Sequence, residues 1–359
     1  MHLTHPPKWA SIRGMEKRSK QPRKCEAGSI LEPHFQDGDK AREYLEQIRW
    51  PDGPECPHCG LIGEAYRIVR KEKTKEQVIE MLRARKRIRK AQKGLWKCKG
   101  CKKQFTVTVG TIFEDSHIPL HKWLLAIHLL TSSKKGMSAH QLMRNLDIKQ
   151  YKSAWFMAHR IRYALTGELP ESMNGVVEAD ETYVGGRFRH KTPRATKPGE
   201  RAKDAPSPFD NKQAVVGIIQ RGGKVYTRHV EKVTAENLTE VVRSVCATDA
   251  HLITDTGVLR NRNTGLKQHS LVNHTADEYV RYEEGFCVTT NTIEGYFSLL
   301  KRGINGVYHH VGRKHLHRYL GEFDFRYKNR KVTDGERALQ ALKGFEGNRL
   351  TYKGTDSQN

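Results

Sequence analysis

The chain has 359 residues, with 64 Lys and Arg against 40 Asp and Glu, a formal charge of +24. That balance points to a polyanionic partner and makes nucleic acid the leading expectation. Hydrophobic residues reach 36%, yet periodic apolar segments recur from Ile112 onward, which excludes a wholly disordered chain. The longest apolar stretch, Trp123–Leu130, is far too short to span a membrane, and the basic start lacks an apolar signal segment, so a cytoplasmic protein is expected.

Residues 1–35, basic and broken by Pro6, Pro7, Pro22 and Pro33, read as a flexible lead-in. A helix is predicted over Asp37–Trp50, with Ala41, Leu45 and Ile48 on one face and Pro51-Asp52-Gly53 ending it. Seven cysteines stand at 25, 56, 59, 98, 101, 246 and 287, an odd number, and four of them form two C-x-x-C pairs. In a reducing compartment such pairs point to metal before disulfides. Each pair, Cys56-Pro57-His58-Cys59 and Cys98-Lys99-Gly100-Cys101, can make a tight turn aided by Gly60 or Gly100, and two such turns supply a closed tetrahedral site for structural Zn²⁺. Residues 36–115 are therefore predicted to be a zinc ribbon. Between its knuckles lies a basic insert, Lys71–Gly94, and the window Arg67–Lys103 around it holds 16 Lys and Arg against three Glu. Val78, Ile79, Leu82 and Ile88 give the insert helical periodicity. Arg83, Arg85, Lys86, Arg87 and Arg89 are its candidates for DNA-backbone contact, the alternative being a solvated basic helix. Gln104–Ile112 alternates like a ribbon strand.

Residues 116–172 form a predicted helical DNA-binding region. Pro119 opens a helix striped by Trp123, Leu124, Ile127 and Leu130 and ended by Lys134-Lys135-Gly136. A second helix starts at Ser138 with Leu142 and Leu146, turns at Asp147–Lys149, and leads to a third through Ala154, Ala158, Ile161 and Leu165. This is the outline of a helix-turn-helix, or of a plain helical hairpin.

From Gly175 the texture becomes strand-like: Val176–Val184, Gln213–Ile219 and Val225–Val230 precede a helix at Thr234–Val245, a strand at His251–Thr254 and a helix from Thr290 through Lys301. This order predicts a mixed α/β domain over 173–335, followed by a tail, 336–359. Its acids sit at element ends. Asp180 shares a strand face with Glu178 and is opposed to Glu181, Asp255 ends a strand, and Glu294 shares a helical face with Asn291, Ser298 and Lys301. One acid from each can meet at a sheet edge and hold two Mg²⁺ ions for phosphoryl chemistry, with Lys301 and Arg302 near substrate phosphate.

The strings Glu178-Ala-Asp180-Glu181-Thr-Tyr183-Val-Gly185-Gly186, Thr254-Asp255-Thr-Gly257 and Asn291-Thr-Ile-Glu294-Gly-Tyr-Phe-Ser-Leu-Leu-Lys301 resemble the ISXO2-like DDE domain of bacterial insertion-sequence transposases. So do Val307-Tyr-His309-His310-Val311, Lys314–Leu320 and Glu322–Arg330, and the resemblance extends to the ribbon at Trp96-Lys-Cys98 and Gln104-Phe-Thr. It implies a ribonuclease-H-like mixed sheet with Asp180 and Asp255 as the first two Mg²⁺ ligands and Asn291 or Glu294 as the third. Glu294 is favoured because an anion better neutralises metal charge. It further implies a DDE transposase that binds terminal inverted repeats of double-stranded DNA, cuts at element ends and joins them to target DNA. Two Mg²⁺ ions, replaceable by Mn²⁺, and a homo-oligomer on the DNA go with that activity. The alternative is a non-catalytic zinc-ribbon DNA-binding regulator derived from a transposase. The long ribbon insert and Lys328-Asn329, where relatives often carry Asn-Asn, depart from the pattern. Tyr183, Gly185 and Gly186 are candidates for the floor of the site. His309, His310 and His315 are read as structural rather than DNA-contacting, and Cys25, Cys246 and Cys287 as inert.

Overall fold

The structure is a computed structural model that describes residues 29–69, 74–84, 93–167, 172–186, 212–255, 257, 259, 263–283 and 286–352. The first half comprises α1 (Pro33–Gln36), α2 (Gly38–Arg49), β1 (Ala65–Arg67), α3 (Lys75–Arg83), β2 (Trp96–Cys98), β3 (Gln104–Phe105), α4 (Leu120–Ser132), α5 (Ala139–Asn145) and α6 (Tyr151–Leu165). The second comprises β4 (Val176–Val184), β5 (Gln213–Gln220), β6 (Val225–Val230), α7 (Ala235–Val245), β7 (His251–Asp255), β8 (Gln268–Val272), β9 (Arg281–Glu283), β10 (Phe286–Val288), α8 (Asn291–Gly303), α9 (Leu316–Lys328) and α10 (Asp334–Lys343).

The Asp37 side chain accepts from the backbone N–H groups of Asp39 and Lys40 and so starts α2, which buries Ala41 and Leu45. Beyond its end, Trp50 meets Trp96 and Phe105 edge-on and joins the helix to the antiparallel sheet β1-β2-β3. The predicted strand Gln104–Ile112 is a strand only at its first two residues, with a single further bridge from Thr111 to Glu346. Its remainder forms successive turns, with Val109 N–H donating to Thr106 O and Thr111 N–H to Thr108 O, while Arg49 Nη1 donates to the carbonyls of Val107 and Val109 at 2.7 and 2.8 Å. The arginine takes carbonyls that a strand would have given to a neighbour. Pro119 is the N-cap of α4, so the helix starts at Leu120, one residue later than expected, and Ser138 caps α5 through the Gln141 N–H.

Of the predicted tail, 336–359, residues up to 352 are folded, and 353–359 lie outside the described residues. Thr333 and Glu336 form a capping box for α10, whose Ala338, Ala341 and Leu342 are buried, and Phe345 lies edge-on to Phe113. Ribbon, helical region and this C-terminal segment share one core that runs through Leu45, Trp50, Cys98, Trp123, Ile161 and Phe345. Of the lead-in, residues 1–28 lie outside the described residues; Pro33–Gln36 is helical, with His34 stacked on Tyr44.

The second half is a five-stranded mixed sheet in the order β6-β5-β4-β7-β8. β4, β5 and β6 are antiparallel neighbours, whereas β7 runs parallel to β4 and β8 parallel to β7. Counted within the sheet, the order is third, second, first, fourth, fifth, in keeping with the expected ribonuclease-H-like topology. Alternation along β4 and β5 splits the packing. Val177, Ala179, Val216 and Ile218 face α7, while Val184, Val215 and Ile219 face α8 and α9. Strand β8, hairpin β9-β10 and helix α9 had not been expected from the sequence.

Candidate active site and metal centre

Asp180 and Asp255 follow directly on the last paired residues of the parallel ladder, Ala179 and Thr254, so they stand side by side on neighbouring strands. Strand alternation puts Glu178 and Asp180 on the face covered by α8. That helix comes close because Asp180 is opposite Gly217, where any Cβ would lie 2.7 Å from Phe297 and 2.9 Å from Ile293. Along α8, Ile293, Tyr296, Phe297 and Leu300 are buried, and the expected face of Asn291, Glu294, Ser298 and Lys301 is left outward.

The structure brings three acids into mutual electrostatic range. Burial, with the charges of Glu181, Glu294 and Asp255, pushes the Asp180 carboxyl up to about 7, against the pull of its hydrogen bond from the Glu181 N–H at 2.8 Å. Glu294 accepts from Thr290 Oγ1 at 3.0 Å and lies 3.4 Å from His274 Nε2. The Asn291 N–H donates to Thr289 Oγ1 at 3.2 Å. Sequence reasoning missed His274 and Thr290, and it also set Glu181 apart on the opposite face. Burial and the charge of Asp255 raise the Glu181 carboxyl, so this acid bears on the same sheet edge.

Glu178 has a different part from the one its spacing suggested. It is fully buried, accepts from Thr292 N–H and Oγ1 and from Ile293 N–H, and pairs with Arg221 Nε at 2.7 Å. Arg221 also donates to the carbonyls of Cys287 and Thr289. The pair joins β4, the β5–β6 turn and the chain entering α8.

The four ribbon cysteines form a compact ligand group, all four sulfurs lying within 4.8 Å of one another. Cys56 Sγ is 3.6 Å from Cys101 Sγ, and Cys59 Sγ is 3.7 Å from Cys98 Sγ. A tetrahedron with Zn–S bonds of ~2.3 Å has edges of ~3.8 Å, so the donor set fits zinc. Gly60 takes φ +72°, and the equivalent left-handed position after the second pair is Lys102 at +59°, not the expected Gly100. The backbone N–H of Leu61 lowers the Cys59 thiol to about 7.

Of the basic insert, Arg83 ends the exposed helix α3; Arg85, Lys86, Arg87 and Arg89 lie outside the described residues. Some of its charge serves the fold: Arg67 pairs with Glu46 at 2.6 Å, and Lys93 with Asp39 at 2.7 Å. In the helix-turn-helix outline, α6 buries its residues from Met157 to Ile161 and leaves Tyr151 and Lys152 exposed on its first turn. Tyr352 lies against Phe156 and Lys152 there. His315 packs on Trp155 and His159 as a structural histidine, whereas His309 and His310 are exposed. Cys246 is buried and Cys287 half-buried, both as free thiols, and Cys25 lies outside the described residues.

Residues 172–328 match the family model of the ISXO2-like transposase domain, and residues 36–104 that of the transposase zinc-ribbon domain. The chain thus carries an ISXO2-like transposase domain behind a transposase zinc-ribbon domain. A relative described as an uncharacterized protein in transposable element ISH50 of Halobacterium salinarum is 26% identical over 300 residues, covering 80% of this chain and 90% of its own. Among solved structures, an intasome of simian T-cell lymphotropic virus in complex with PP2A regulatory subunit B56 gamma aligns at 13% identity and TM-score 0.26, over 59% of this chain and 73% of that one. The Drosophila P element transposase strand transfer complex aligns at 11% identity and TM-score 0.22, over 66% and 61%. The transposase domain spans the whole mixed sheet and the three acids, and the zinc-ribbon domain spans all four cysteines. Among the described residues, no helix is long and apolar enough to cross a membrane.

Proposed function

We propose that this chain is the DNA transposase of an insertion sequence, a polynucleotidyl transferase that binds terminal inverted repeats, cuts at the element ends and joins the freed 3′-hydroxyl to target DNA. The observation that carries the reading is the placement of Asp180 and Asp255 just beyond the same parallel ladder, with Glu294 of α8 near enough for its charge to act on Asp180. Carboxylates gathered at one place add little to stability, but they suit divalent cations, whose charge relieves the repulsion. The donor set is all oxygen, which favours Mg²⁺ and accepts Mn²⁺. Asp180, Asp255 and Glu294 would hold two such ions. When bound, they supply activation of the attacking oxygen and charge stabilisation at the leaving one.

The remaining tasks fall to the chain's own groups. The Glu181 N–H orients Asp180, while Thr290 and His274 orient Glu294. Lys301, two turns along α8, offers an ammonium to substrate phosphate, with Arg302 beside it and Asn291 at the helix start. Zinc held by Cys56, Cys59, Cys98 and Cys101 stabilises the ribbon, and the ribbon, its basic insert and the first turn of α6 grip the repeats. Joining two element ends to one target requires two catalytic centres, hence a homo-oligomer assembled on the DNA.

The test is incubation of the purified protein with Mg²⁺ and DNA from the flanks of its own gene, mapping cut ends and joined products. Joined product supports the transposase reading. Cut ends without joining reduce it to a nuclease, and repeat binding without any cutting makes the chain a regulator.

A further inference from the structure

Two of the three elements that carry the acids, β4 and α8, run on past them into one groove. Three residues along β4 from Asp180 is Tyr183, a span of ~10 Å at the usual strand rise. Seven residues along α8 from Glu294 is Lys301, again ~10 Å at the helical rise. Tyr183 and Lys301 line a common cavity of about 1190 Å³, together with Gly185, Lys212, His310 and Arg313. None of the described residues lining it is acidic.

The walls are built from unusual backbone. Gly185 and Gly186 take φ of +76° and +60°, so β4 leaves its sheet without a side chain blocking the entrance. Beyond α8 the helix widens into a π turn over Ile304–Tyr308, and His309 then holds φ +59°, a conformation rare outside glycine. Strain of this kind persists where surrounding structure enforces it, commonly at ligand sites. Its effect here is to present His310 and Arg313 across from Lys301. Arg313 pairs with Glu231 at an exposed rim, a contact easily exchanged for a better anion.

We propose that this groove is a subsite for the sugar-phosphate backbone of the strand being cut, holding phosphates about one to three nucleotides from the one at the acids, given ~3.4 Å of axial rise per nucleotide. The proposal rests on the transposase reading and adds to it the subsite and residues that grip the strand. Lys301, His310 and Arg313 donate to phosphate oxygens, and the glycine-rich wall lets the backbone approach closely.

The test pairs charge removal on each side. Wild type, His310→Ala and Arg313→Ala are assayed for binding and cutting of repeat-end DNA that carries single uncharged methylphosphonates at the backbone positions nearest the cut. Thermal melting of each variant serves as the folding control. In the wild type one or two positions should each cost about tenfold in cutting and binding. In Arg313→Ala or His310→Ala the matching position should cost nothing further, because its contact is already gone. A flat interference profile in a wild type that cuts normally, or penalties that multiply in both variants, overturns the groove. A wild type that never cuts, yet loses binding at the same positions as predicted, overturns the catalytic reading and keeps the groove.

Discussion

The Glu178 carboxylate accepts from both the backbone N–H and the hydroxyl of Thr292, each at 2.8 Å, and so fastens the start of α8 to β4 two residues before Asp180. With Ile293 N–H and Arg221 as further donors, it is a buried anion whose partners all lie on segments converging on the site. Glu178→Ala should cost about 3–5 kcal/mol, because Arg221 and two helix-start N–H groups lose their acceptor. Glu178→Gln, which keeps an acceptor, should recover part of that. Denaturant unfolding gives the stabilities; a loss below about 1 kcal/mol for the alanine variant would show the clamp to be dispensable.

A second buried charge system joins the helical region to the sheet domain. Glu322 of α9 accepts from Arg162 of α6 at 2.5 Å, from Arg326 and from Tyr308. Removing the single anion leaves two buried guanidinium groups facing each other, so Glu322→Gln should destabilise by about 3–5 kcal/mol. Replacing Arg162 alone by Met should cost less, since Arg326 still neutralises Glu322. Melting curves of the two variants check the order.

Asp324 supplies a pH dependence separate from the candidate metal ligands. Burial pushes its carboxyl from 3.8 up to about 7, although Tyr296 Oη and the Thr227 N–H and Oγ1 donate to it. Between those values the folded chain keeps a proton that the unfolded chain has released, so this group's contribution falls as pH rises from about 4 to 7 and is level above. Asp324→Asn retains an acceptor without the charge. Its stability relative to wild type should therefore improve with rising pH across that window, by up to a few kcal/mol. Unfolding measured at pH 5 and pH 8 decides it: an equal difference at both removes Asp324 as the cause.

The zinc site is built into a larger core than its own ribbon. Cys56 and Cys98 pack with Trp50, Phe105 and Trp123, while the sheet has separate cores around Val216 and Phe297. Cys98→Ser should lose bound zinc and raise amide exchange through β1-β2-β3 and α2, leaving β4 and β5 protected. Full zinc content in that variant would remove Cys98 from the ligand set.

Strands β4, β5 and β6 were legible because each alternates or runs apolar between turn residues, and the C-x-x-C pairs because thiolate spacing alone specifies the site. Helix α9 was missed although Leu316, Tyr319, Leu320 and Phe323 have helical spacing. Its buried Arg318, Glu322 and Arg326 make the segment look polar all round, and their burial is tolerated only through partners such as Arg162, 160 residues away. Strand β8, Gln268–Val272, is a polar edge with little apolar signal. Asp180, Asp255 and Glu294 were candidates from their strand and helix positions together with the family resemblance, whereas Glu178 was read as a companion of Asp180 because nothing local reveals that its partners come from Thr292 and Ile293.

The last prediction concerns the third ligand. Glu294 contributes charge to the Asp180 environment and is oriented by Thr290 and His274, and it offers an anionic donor where the Asn291 side chain would offer a neutral amide oxygen. If Asp180, Asp255 and Glu294 hold the Mg²⁺ pair, converting any one to its amide removes an anion the ions need, and cutting and joining should fall together on the order of 10³-fold while repeat binding persists. Chelation should abolish both reactions and Mn²⁺ restore them, whereas Ca²⁺, with its longer and looser coordination, should support binding with little turnover. Asn291→Ala is the arbitrating variant. A loss as deep as that of Asp255→Asn, with Glu294→Gln still active, would move the third ligand to Asn291.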